Sequence, residues 1–311
     1  MPVEINPIKR FDPVRRLNAL IDLNVSSNFE GQFKEQVLEG EPFVIYTHEA
    51  QVDGIGAAVV GERLMQLSQE AGRVPQLRGY VMPVARSLFE GQQSRKLQIA
   101  FHIFNVLVSR KGLKTFPYTR EKDEKEFGMN RQHLVSELRP LVTRIKQGYA
   151  AATFASGSVE AGRHDEGRDP EEIHGLQRLT GTDILTLSRV VRSANRERRM
   201  FFVIIGLHGG FRLQSPNKGK LYPTNEGLAS FLGWPENFPP HIRHVKMEAN
   251  LGTIITDGQM ADRFGRDWVT AGKDKSIESI GRVQSINDYI MGHAALLLPP
   301  HARGAYSHLA A

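Results

Sequence analysis

Cysteine is absent from the 311 residues. That absence removes disulfide scaffolds, thiolate zinc sites and cysteine nucleophiles together, so any chemistry must use oxygen or nitrogen groups. Long hydrophobic runs are missing too. The most apolar stretch, Met200 to Leu207 (MFFVIIGL), is far shorter than the roughly 20 residues that cross a bilayer, and no span is expected. The opening MPVEINPIKRFDPVRR has no apolar core and no small-residue cleavage site, so the expected location is cytoplasmic. No period of about 20 to 50 residues repeats itself, which excludes solenoids and propellers.

What is present is an ordinary folding composition, 40% hydrophobic and 24% charged, with nothing of collagen, coiled coil or wholesale disorder. The formal net charge of +6 favours acidic partners: nucleic acid, an anionic membrane surface, a phosphorylated metabolite or an acidic carrier protein. The densest basic stretch, Arg192-Ser-Ala-Asn-Arg-Glu-Arg-Arg199, falls at the end of an expected helix, where cations complement the helix dipole. No helix-turn-helix, aromatic RNA-binding motif or finger accompanies it, and nucleic acid is not expected as a partner.

Alternation organises the chain. Short β-rich runs at Phe43–Tyr46, Phe104–Val108, Ala151–Phe154 and Phe201–Ile205 are separated by helix-like stretches at Gly54–Glu70, Gln132–Gln147 and Asp183–Arg198. That order predicts an α/β fold, a mostly parallel or mixed central sheet flanked by helices. Residues 1–40 read as a small N-terminal helical segment of two short amphipathic helices, and residues 41–311 as a single α/β domain. The polar stretch from Glu160 to Glu172 and the turn-rich stretch from Gln214 to Pro223 are expected loops. From Ser215 to Ala311 no motif stands out; the region is expected to complete the sheet and line an acyl tunnel.

Four segments carry chemistry. The first, Thr47-His48-Glu-Ala-Gln-Val-Asp53-Gly-Ile-Gly56, follows the apolar strand FVIY and opens a helix. The carboxyl end of a strand in an open α/β sheet is where ligands bind. A histidine there can take a proton from an attacking hydroxyl if a carboxylate orients its ring. The same His-x-x-x-x-Asp spacing recurs at His164 and Asp169, but in the polar loop with no strand before it; context selects His48 and Asp53. A capping or hydrogen-bonded histidine at a strand end is the structural alternative. The second segment, Val106-Leu-Val-Ser109-Arg110-Lys111-Gly112, reads as a strand leading into a polar turn whose cations suit a phosphate or simply solvent. The third, Ala151-Ala-Thr-Phe-Ala155-Ser156-Gly157-Ser158-Val159-Glu160, reads as a strand running into a small-residue turn, which is either a plain tight turn or a seat for an anionic or polyol substrate. The fourth, Phe201-Phe-Val-Ile-Ile-Gly-Leu-His208-Gly-Gly210, is an expected buried strand ending beside the first.

Taken in order over about residues 40 to 215, these segments resemble the glycerolipid acyltransferases, most closely the soluble plastid-type glycerol-3-phosphate acyltransferases. THEAQVD is similar to that family's His-x-x-x-x-Asp block, VSRKG to its Ser-Lys-Lys-like turn, TFASGSV to its Pro-Ser-Gly-Gly-Arg-type block, and FFVIIGL to its closing strand. The resemblance implies that His48 is the general base and Asp53 its orienting carboxylate. It implies Arg110 and Lys111 near the acceptor phosphate, and Ser156, Gly157 and Ser158 against the glycerol. The family's proline and arginine in the third block are replaced by Ala155 and Val159, so Arg163 is the remaining cation for that anion. The implied reaction moves an acyl chain from a coenzyme A or acyl-carrier-protein thioester to a hydroxyl, with no cofactor or metal and with peripheral contact to anionic membrane. Two other readings stay open. One is a non-catalytic lipid- or acyl-binding protein of the same fold. The other is a serine hydrolase or thioesterase, suggested by His208-Gly209-Gly210 but lacking the Gly-x-Ser-x-Gly elbow.

Overall fold

The computed structural model describes residues 18, 21–47, 53–85, 102, 105–118, 137–155, 175–176, 178–179, 181–195, 199–210, 247–273 and 276–309. Seven strands form one sheet: β1 (Ile21–Val25), β2 (Gly40–Tyr46), β3 (Gly79–Ala85), β4 (Leu113–Tyr118), β5 (Tyr149–Phe154), β6 (Arg199–His208) and β7 (Met247–Thr256). Their order across the sheet is β1-β7-β6-β2-β5-β3-β4. Only the β6–β7 pairing is antiparallel; the other five are parallel. The helices are α1 (Phe29–Glu39), α2 (Asp53–Glu70), α3 (Arg139–Lys146), α4 (Asp183–Ala194), α5 (Asp257–Phe264) and α6 (Ile277–Leu296). This is the α/β architecture that the alternation predicts.

The centre of the sheet is apolar on both sides. Every residue of β2 is buried, and so is all of β6 except its first residue. Such continuous apolar runs belong to strands covered on both faces. Successive side chains point to opposite faces. Val44, Tyr46, Val203 and Ile205 join Phe29, Phe33, Ile55, Val60 and Leu64 in a core under α1 and α2. Phe43, Ile45, Phe202 and Ile204 join residues of α3 to α6, such as Leu141, Leu185, Met260 and Ile290, in a second core on the other face. Each fully buried side chain of this size contributes about 1.5–3 kcal/mol, so the two cores lock β2 and β6 in place.

Strand β7 alternates, with Met247, Ala249 and Leu251 buried and Glu248 and Asn250 half-buried. The C-terminal end of α6 lies on glycines of β6 and β7. A Cβ at Gly206 would come within 2.8 Å of Leu297 Cβ, and one at Gly252 within 2.6 Å of Leu297 Cδ2. Asn250 Nδ2 donates to the Leu297 carbonyl at 2.9 Å across the same junction. The described residues from Met247 onward thus add β7 to the sheet and cover one face.

Three expectations change. Of the strand expected over Phe104–Val108, the described residues are not a strand: residues 105–110 are helical, with Leu107 and Val108 buried and Val106 43% exposed, and β4 begins only at Leu113. Within residues 1–40, α1 is a helix as expected, but Ile21–Val25 is a strand of the sheet, pairing with β7, in place of an expected helix; residues 1–17, 19 and 20 lie outside the described residues. The helix expected over Gln132–Gln147 spans Arg139–Lys146, and residues 131–136 lie outside the described residues. Among the described residues, no helix is long and apolar enough to cross a membrane.

Candidate active site at the carboxyl edge of the sheet

Strand β2 is hydrogen-bonded on both sides to its very end. Thr47 N–H donates to the Ile205 carbonyl at 3.1 Å, and Ala155 N–H donates to the Tyr46 carbonyl at 2.8 Å. The carboxyl ends of β5, β2 and β6 therefore lie side by side, with Tyr46 opposite both Phe154 and Ile205. Among the described residues, the next helix after β2 is α2, which packs in the first core, and the next helix after β5 is α4, which packs in the second. Adjacent strands whose following helices lie on opposite faces leave a crevice at their carboxyl ends, and that is the binding position in open α/β sheets.

Asp53 is the first residue of α2 and is wholly buried at this edge. A carboxylate in the first turn is favoured by the helix dipole and the free N–H groups there. Two contacts hold the turn against the sheet. Tyr46, the last residue of β2, donates its hydroxyl to the Ala57 carbonyl at 3.2 Å. Burial pushes its phenol far above the ordinary value, so it remains a neutral donor. Gly56 permits close approach, since a Cβ there would sit 3.0 Å from Leu207 Cδ2 and 3.1 Å from Met247 Cε.

Beside Tyr46, the buried Thr47 hydroxyl accepts from Leu207 N–H at 2.7 Å and donates to the Leu207 carbonyl at 2.9 Å. This joins the ends of β2 and β6 one residue before His48. The end of β6 adds His208, 3% exposed, whose ring meets that of His301 edge-on with centroids 5.3 Å apart. Glu248 is the direct antiparallel partner of His208 and so shares its face of the sheet. Gly209 follows with φ +83, a left-handed turn that glycine adopts without strain.

The sequence-derived residues divide accordingly. Asp53 is at the carboxyl edge, and the strands that lead to His48 and to Ser156 end there next to each other. His48, Ser156, Gly157, Ser158 and Arg163 themselves lie outside the described residues. Arg110 and Lys111 are elsewhere. They precede β4, at the amino edge of the sheet; β2 alone spans seven residues, which puts the two edges about 20 Å apart. Arg110 is exposed. The buried Lys111 is committed to an ion pair with Glu62 of α2, Nζ to Oε2 2.6 Å. They do not share a site with Asp53.

Thr47, Glu248 and His301 are edge residues that no motif in the sequence singles out. Thr47 stands beside His48, but its bond to Leu207 follows only from the adjacency of β2 and β6. Glu248 reaches the edge because β7 runs antiparallel. Among the described residues, no group of three or more His, Asp or Glu side chains is placed to hold a metal ion. No protein-family model matches the chain, and no curated protein matches it either.

Proposed function

We propose that the carboxyl edge of β5, β2 and β6 is a general-base site that transfers an acyl group from a thioester to a hydroxyl. The observation that carries this reading is Asp53: a carboxylate buried at the start of α2, at the carboxyl edge of the sheet, five residues after a histidine. A carboxylate so placed suits the task of orienting an imidazole and stabilising its protonated form. In the proposed step His48 takes the acceptor hydroxyl proton, and the oxygen attacks the thioester carbonyl carbon. The tetrahedral intermediate then collapses with release of the thiol, which recovers the proton from His48.

The donor is an acyl thioester of coenzyme A or acyl carrier protein, both polyanionic and matched to a chain of net charge +6. Glycerol 3-phosphate or a related polyol is the acceptor class. Arg110 and Lys111 are not part of this proposal, and a phosphate on the acceptor would find its cation in the segment after β5, where Arg163 stands in the sequence. The test is release of free thiol from palmitoyl-coenzyme A or acyl carrier protein by wild type and His48→Ala, with and without glycerol 3-phosphate. Acceptor-dependent release that is lost in the variant supports the reading. Release without acceptor makes the protein a thioesterase, and no release with any donor and acceptor removes the proposal.

A further inference from the structure

The outward face of α6 carries a groove of about 630 Å³, bounded by the end of α5 on one side and by the chain after Tyr306 on the other. It is distinct from the carboxyl-edge site, whose residues Asp53, Thr47 and His208 do not line it. Leu296, Phe264 and Leu309 give it apolar walls, and Tyr289, His293 and Arg263 form its polar centre.

The charge in this groove is one-sided. Among the described residues Asp288 is its only lining carboxylate, and its oxygens are already taken. Arg178 donates to both oxygens at 3.1 and 2.5 Å, Gln284 donates at 2.9 Å and Tyr306 at 3.0 Å. Arg263 has no carboxylate partner among the described residues. Its guanidinium carbon lies 4.6 Å from the Tyr289 ring centroid and 5.8 Å from that of Phe264. Tyr289 in turn meets Phe264 edge-on at 5.5 Å and His293 edge-on at 4.8 Å. A guanidinium stacked on a ring is held in orientation while its N–H edge stays available, which is the arrangement that receives a phosphate in a fork. Burial, and after it the nearby Arg263 charge, hold the His293 imidazole below its ordinary value. His293 therefore adds hydrogen-bonding capacity to the groove rather than a second cation.

We propose that this groove binds a nucleoside phosphate, with the phosphate on Arg263 and the exposed His308 and the flat base against the Tyr289, His293 and Leu296 surface. A planar body with an anionic end matches both halves of the lining: rings and aliphatic walls for the base, an oriented guanidinium for the phosphate. Free nucleotides and the adenosine phosphate end of coenzyme A share this chemistry. The proposal does not depend on the reading of the His48 site.

Binding is measured by calorimetric titration of adenosine 5′-monophosphate, coenzyme A and adenosine into wild type, Arg263→Gln, Tyr289→Leu and His48→Ala, with imidazole NMR signals of His293 and His308 followed in parallel. The expected result is saturable binding of adenosine 5′-monophosphate that shifts both imidazoles, weakened roughly tenfold or more, at least 1.4 kcal/mol, in Arg263→Gln and for adenosine. The same binding is expected in His48→Ala. Tighter binding of coenzyme A at the same imidazoles would identify that source, and equal or weaker binding a free nucleotide. No saturable binding of either phosphate at millimolar concentration overturns the proposal. So does binding that leaves both imidazoles unmoved, or that survives in Arg263→Gln and Tyr289→Leu when both retain wild-type unfolding curves.

Discussion

The Thr47 hydroxyl is bound by both backbone polar groups of a single residue, Leu207, accepting from its N–H at 2.7 Å and donating to its carbonyl at 2.9 Å. Thr47 is fully buried, and water has no access to replace either bond. Thr47→Val keeps the shape of the side chain and removes both. Leaving buried backbone groups unpaired costs about 1–3 kcal/mol. The expected outcome is a lowered urea midpoint in Thr47→Val, with Thr47→Ser close to wild type. If the valine variant unfolds with wild type, the hydroxyl does not secure the end of β2.

At the opposite edge, Arg73 Nη2 lies 2.6 Å from Glu41 Oε2, with side chains 3% and 2% exposed. Asn195 Nδ2 donates to the same oxygen at 3.0 Å, which ties the end of α4 to the start of β2. Removing one partner of a buried pair strands the other charge, at a cost of about 3–5 kcal/mol, whereas replacing both with apolar groups is often neutral. Arg73→Leu is therefore expected to be strongly destabilising, and Arg73→Leu with Glu41→Leu to recover most of the loss. A double-mutant cycle by chemical denaturation checks it. A double variant no better than the single one would show that packing, not the stranded charge, sets the cost.

The central fold was legible because β2 and β6 are covered on both faces, and full burial writes a continuous apolar run such as FVIY or MFFVIIGL into the chain. The other strands hide their signal. Strand β3 contains Pro83, beyond the stretch Gly79–Val81 that pairs with β5, and β4 contains Pro117 on the last strand of the sheet. In both places the missing N–H is tolerable, yet proline in a sequence argues against a strand. The run Phe104–Val108 misleads in the opposite sense, since a short apolar run fits a strand or one side of a helix equally.

The candidate site divides for a similar reason. The position of Asp53 was readable because an apolar strand and a helix lie close together in the sequence. Lys111 was not, because a strand over 104–108 would put the lysine at a carboxyl edge. The helix that forms instead puts Lys111 before β4, at the amino edge. Glu248 and His301 depend on pairings with residues distant in sequence, which spacing does not encode.

Asp288 gives a pH prediction. The Arg178 fork, then donation from Gln284 and Tyr306, hold its carboxyl below the ordinary value even against partial burial. A carboxyl lowered in the folded state contributes stability that is complete above its unfolded value of about 4 and is lost as pH falls through its folded value. Asp288→Asn should therefore lower the thermal midpoint at pH 7, and the gap to wild type should close below about pH 4. A gap that stays constant down to acid unfolding would mean the asparagine acts through packing or hydrogen bonding instead of charge.

Two glycines on either side of the α6 contact should respond with opposite signs when changed to alanine. Gly281 lies in α6 with nothing within 4 Å of the point a Cβ would occupy, so Gly281→Ala adds helix propensity and stabilises by about 0.5–1 kcal/mol. Gly206 lies in β6, where a Cβ would meet Leu297 Cβ at 2.8 Å and its carbonyl oxygen at 3.0 Å. The carbonyl is backbone and cannot rotate away, so the end of α6 must move. Overpacking of this kind costs about 1–3 kcal/mol. It should also loosen the contact between His301, a few residues further along the chain, and His208, now 5.3 Å between ring centroids. Urea midpoints of the two variants check the signs, and the imidazole NMR signals of His208 and His301 check the displacement. A stable Gly206→Ala with unmoved imidazoles would show that α6 is not seated on the sheet through this glycine.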